Sequence, residues 1–152
     1  MKVKASFLPL ESCLLDKRFL RIFFGLAACS WMPHWACHYY RLETQSTFIV
    51  GSWAFSFADS IVSLLIYSVL ITINLLSISA EKYRVIPAAL TGIGHLGIGL
   101  LHAYRLLYPF TFVVFGYSWS YGASLREALL VIPFGLLSLF VAIAIQRKGF
   151  HD

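Results

Sequence analysis

The sequence predicts an all-α protein: an integral membrane four-helix bundle with both termini on the inner, cytoplasmic side. Three observations carry this. Hydrophobic residues make up 59% of the 152-residue chain and charged residues 12%, against roughly 45–50% and 25% in soluble proteins. The mean hydropathy is +0.77. Four stretches also reach the length of about 20 apolar residues that a bilayer core requires. The length suits a single transmembrane domain, residues 1–152.

The first span is expected over residues 19–40 and the second over 54–78. The third covers 85–107, with Pro87 near its start and Pro109 just beyond its end, both natural places for proline. The fourth covers 125–145. Pro33 and Pro133 fall inside spans one and four, where packing neighbours can satisfy the freed carbonyls. No internal repeat is expected. Residues 1–16 mix polar and apolar side chains and could lie along the inner interface as an amphipathic segment.

Orientation follows from the basic residues. Lys2, Lys4, Lys17, Arg18, Arg21, Lys82, Arg84, Arg147 and Lys148 flank the inner ends, against Arg41, Arg105 and Arg126 outside. These short clusters beside apolar runs mark membrane flanks, so no nucleic-acid partner is expected. The expected partners are the lipid bilayer and either other membrane subunits or a second copy of the chain. The expected location is a bacterial inner membrane or an organellar membrane.

Cys13, Cys29 and Cys37 include no C-x-x-C pair, which excludes paired-thiol redox chemistry and a disulfide framework. "LAAC", ending at Cys29, matches a lipoprotein cleavage site, and Arg18 and Arg21 precede it. The apolar run continues through Trp31, Met32 and Trp35, where a lipoprotein would have a polar tether.

The polar residues inside the spans point to function. On span three, Gly92, His95, Gly99 and His102 share one helical face, and Arg105 follows. On span one, His34 and His38 are four residues apart, with Arg41 next in the row. On span two, Asp59 lies about eight residues in from Gly51, and Ser56, Ser60, Ser63, Tyr67 and Asn74 form a polar seam that should face the bundle interior. Span four has Arg126 and Glu127 at its outer end and is expected to be the most lipid-facing helix, with Leu136 and Val141 turned outward.

Counted from the outer ends, His34 and Asp59 lie roughly 12 Å deep and His102 roughly 9 Å. His38, Arg105 and Glu127 lie nearer the surface, and His95 deeper. All four helices thus offer ionisable groups to one layer, and such groups in a span mark a functional site by default. Gly99 could leave room beside His102 for a bound group, or could serve only close helix packing. The loop from Pro109 to Ser124, rich in aromatics, is read as an interfacial belt or as a lid over the pocket.

A pocket of His34, His38, Asp59, His95, Gly99, His102, Arg105 and Glu127 suits three ligand classes. Haem would sit between facing histidines. A transition metal would take His34, His38 and His102. A quinone-like molecule would use the histidines, an arginine and a carboxylate. The rival reading is a structural network in a non-catalytic accessory or assembly subunit of a larger membrane complex, with Asp59 paired to His34 and Arg105 to Glu127.

Overall fold

The structure is a computed structural model and describes residues 13–149. The amphipathic segment expected over residues 1–16 therefore lies largely outside the described residues. Four helices dominate: α1 (Lys17–Thr44), α2 (Phe57–Ser77), α3 (Val85–Leu107) and α4 (Tyr121–Gly149). A short 3₁₀ turn (Glu81–Tyr83) joins α2 to α3. The all-α expectation fits, with one addition. The connections α1–α2 and α3–α4 are β-hairpins, β1 (Phe48–Val50) with β2 (Trp53–Ala54), and β3 (Phe112–Val114) with β4 (Tyr117–Ser118). They join into one antiparallel sheet in the order β2-β1-β3-β4.

Local chemistry sets the boundaries. Asp16 caps α1, its carboxylate accepting from the amides of Arg18 (2.8 Å) and Phe19 (3.0 Å). Ser56 and Asp59 form a capping box that starts α2 at Phe57 rather than at residue 54. Both hairpins turn on two residues. Gly51 takes φ 63°, while Phe115 and Gly116 take 56° and 79°, the backbone signs of II′ and I′ turns. Phe115 tolerates its left-handed backbone while its ring packs edge-on against Tyr40, centroids 4.8 Å apart.

α2, α3 and α4 are each long and apolar enough to cross a bilayer. α1 has the length, but His34, His38 and Arg41 leave it more polar than these three. The expected order of exposure is corrected. α2 buries only 17% of its most apolar window, against 33% for α4, and Val141 is fully buried in the core with Phe23, Phe24 and Ala88. Span four looked lipid-facing because its buried side carries mainly alanine and valine, with only Ser124 and Ser138 polar, so hydropathy could not tell the sides apart. The α2 seam does turn inward at Ser60 and Asn74, both fully buried.

The expectation of no internal repeat is overturned. The two halves follow one plan, helix–hairpin–helix, at an offset of 64 residues throughout, as from His38 to His102. The central strands pair Phe48 with Val114, Ile49 with Val113 and Val50 with Phe112. Ile49 and Val113 are counterparts, so a pseudo-two-fold axis passes between them. Parallel repeats in membrane proteins are related by such an axis along the membrane normal. In sequence the repeat survives as "HYYRL" and "HAYRL", "TFIV" and "TFVV", "SFADS" and "SYGAS".

Candidate functional site

The repeat builds the same clamp twice. In the first half, Arg41 Nη1 donates to Ser56 O (3.1 Å) and Ser60 Oγ (2.7 Å), and Nη2 donates to Phe55 O. His38 Nδ1 lies 3.2 Å from the same Ser60 Oγ. In the second half, Arg105 Nη1 donates to Ser120 O (3.3 Å) and Ser124 Oγ (2.7 Å), and Nη2 to Trp119 O (2.6 Å). Its Nε adds Phe110 O at 3.1 Å, and His102 Nδ1 lies 3.2 Å from Ser124 Oγ. Each arginine ties a hairpin to the helix before it, and each serine holds a histidine ring.

Beneath the sheet lies a cavity of about 520 Å³. Its roof is Phe48 and Val50 from β1 with their counterparts Phe112 and Val114 from β3. His38 and His102, then Phe55 and Trp119, line it as further counterpart pairs, so the cavity sits on the axis. Deeper, the pairs differ: His34 against Ile98, Tyr67 against Val131, and Ser63 against Glu127. Below the cavity two counterparts meet on the axis, Trp31 and His95, with ring centroids 4.2 Å apart. Trp31 Nε1 and Asn74 Nδ2 both reach Thr91 Oγ1, at 3.4 and 3.0 Å, and close this floor.

Five of the eight sequence-predicted residues therefore share one cavity: His34, His38, His95, His102 and Glu127. Three do not. Asp59 caps α2, accepting from Ser56 N at 2.7 Å and Ser56 Oγ at 2.8 Å. Its expected depth was counted from Gly51, but residues 48–54 are sheet, so Asp59 sits in the first helical turn. Arg105 pairs with carbonyls and Ser124, not with Glu127. Gly99 opens no space for a ligand, because a Cβ there would stand 2.5 Å from Ile132 Cγ1. Gly92 and Gly135 likewise let α3 and α4 touch, and Gly94 makes room for the Trp31 indole.

Among the described residues no three His, Cys, Asp or Glu side chains come together closely enough to hold a metal ion. The ligand set His34, His38 and His102 shares the cavity without forming a metal centre. The ion pairs found there, Lys17 with Glu81 (3.5 Å) and Arg84 with Glu81 (3.8 Å), lie at the opposite end from the sheet. Neither expected intramembrane pair, Asp59 with His34 or Arg105 with Glu127, is among them.

Two ring nitrogens at the cavity lining are buried without a partner, His95 Nε2 and Trp119 Nε1. His95 Nδ1 is 2.9 Å from Thr91 O. A carbonyl only accepts, so Nδ1 carries the hydrogen and the neutral ring keeps a lone pair on Nε2. Trp119 can only donate. These are one spare acceptor and one spare donor on residues of the cavity wall, which also carries His34, His38, His102 and Glu127 among its aromatic and aliphatic side chains. Trp119 was read from sequence only as part of an aromatic loop, and the roles of Arg41, Ser60 and Ser124 were missed. The repeated H-x-Y-R-L pattern was the signal that could have found the clamps.

The fold and site define a helical protein with three helices long and apolar enough to cross a membrane and a cavity between two repeats. No family model, curated protein or solved structure matches the chain.

Proposed function

We propose that the protein crosses its membrane four times, both termini inside, and binds a quinol-like molecule in the outer half of the bilayer. The three apolar helices and the positive-inside distribution of basic residues support the topology. Reporter fusions at each end are expected to read inside. A C-terminal reporter on the outer side would remove the four-span arrangement.

The observation that carries the ligand reading is the pair of unpartnered nitrogens. Buried polar groups in native proteins are almost always hydrogen-bonded, and an orphaned one calls for a partner. A hydroxyl can donate to His95 Nε2, and a second oxygen can accept from Trp119 Nε1. The aromatic walls suit the flat, apolar ring between them. The cavity is of the size that small-molecule sites have.

Haem is the second reading, supported by His95 alone. An Nδ1–H bond to a backbone carbonyl is the arrangement that orients a ligating imidazole. A visible spectrum of the detergent-purified protein separates the two, since a Soret band establishes haem. With a featureless spectrum, a short-chain benzoquinol is expected to quench tryptophan fluorescence saturably. His95→Leu and Trp119→Phe should each weaken that binding about five- to tenfold, one hydrogen bond's worth. A featureless spectrum with no quinol binding would leave the accessory-subunit reading in its place.

A further inference from the structure

We infer that the cavity opens sideways to the lipid, through the slot between α1 and α4, so that its ligand arrives from the outer leaflet rather than from water. This rests on the ligand-binding reading above for its purpose, but its geometry stands separately. The cavity is closed above and below. Its roof is the two central strands, and both hairpins are held down by the Arg41 and Arg105 clamps. Its floor is the Trp31–His95 contact with the Thr91 and Asn74 hydrogen bonds beneath.

Two of its sides are sealed by helix pairs. Trp35 Nε1 donates to Ser68 Oγ at 3.0 Å and Tyr67 stacks on Trp31 and His34, joining α2 to α1. The glycine contacts of Gly92, Gly99 and Gly135 join α3 to α4. The access routes left are the slots between the pairs. At the α1–α4 slot, Phe23 of α1 meets Phe134 of α4 at 5.9 Å, deep towards the inner end. Towards the sheet, α1 offers Pro33 and Cys37, and α4 offers Glu127 and Leu130, all at the cavity lining.

A second hollow of about 490 Å³ runs along the outside of α1 here. It shares Pro33 and Cys37 with the cavity and continues past Ala36 and Tyr40 to the β3–β4 turn. Pro33 and Cys37 thus wall both hollows, which places the inferred passage beside them. Glu127 of α4 and Cys37 of α1 both line the cavity at this slot.

The test is carbene labelling of the full chain in lipid vesicles, with the sites mapped by mass spectrometry. A lipophilic diazirine is expected to label Phe112 and Val114, which the sheet and helices bury. A water-soluble diazirine should spare them. Ala36→Trp, in the outer hollow and outside the cavity lining, should cut the lipophilic labelling at least fivefold. Leu100→Trp, at the counterpart position on α3, should leave it unchanged. Labelling of Phe112 by the water-soluble reagent would overturn the lateral route. So would loss of labelling in Leu100→Trp, persistence in Ala36→Trp, or no labelling by either reagent. Competition by the benzoquinol is scored separately: its absence, with the labelling pattern intact, removes the quinol and keeps the portal.

Discussion

Arg105→Ala is expected to lower stability by about 3–4 kcal/mol, a large share of what holds a small protein together. Arg105 is 5% exposed and makes four hydrogen bonds, three of them to loop carbonyls. Removing it leaves Phe110 O, Trp119 O and Ser120 O without this donor and frees the second hairpin from α3. Arg105→Lys should recover little, because a single ammonium cannot fork to three carbonyls. Arg41→Ala should cost about half as much: Arg41 is half-buried, makes three bonds, and its Nε has no partner. Thermal unfolding in detergent, followed by circular dichroism, orders the three. A midpoint for Arg105→Ala within a degree or two of the parent would show that the clamps carry no load.

Gly135→Leu is expected to separate α3 from α4, at about 3 kcal/mol or more. A Cβ on Gly135 would stand 3.0 Å from Leu96 N and 3.1 Å from Gly92 O. Both are helix backbone atoms, which cannot rotate away as a side chain could. Gly97 provides the contrast on the same helix pair: nothing lies within 4 Å of its Cβ position. Gly97→Ala should therefore be neutral or stabilise by a few tenths of a kcal/mol, through the better helix propensity of alanine. If both variants melt together with the parent, the close approach of the helices is not what holds them.

The candidate site was legible in part, and the division has a physical cause. His34, His38, His95 and His102 could be read as facing inward, because a polar ring in an apolar helix is costly wherever it meets lipid. Glu127 followed by the same reasoning. Asp59 obeyed a different rule: three residues after Ser56, a carboxylate is worth more as a helix cap than as a pocket lining. Arg105 looked like a partner for Glu127, but the connection from α3 to α4 supplies three carbonyls, and α4 supplies Ser124 Oγ, instead. Gly99 fitted either a ligand or a neighbouring helix, and only the position of Ile132 decided between them.

The sequence by itself determined the number, order and apolar character of the helices, since each depends on residues a few turns apart along one chain. It also held the repeat, in two H-x-Y-R-L segments whose kinship became plain only when each arginine was seen gripping the same serine and carbonyls. The tertiary structure alone decided that the two outer connections pair into one sheet, that Trp31 and His95 meet on the axis, and that two ring nitrogens remain unpartnered beside one cavity. Those facts join residues whose separation in the chain is long. They depend on how the two halves close against each other, and no local pattern encodes that distance.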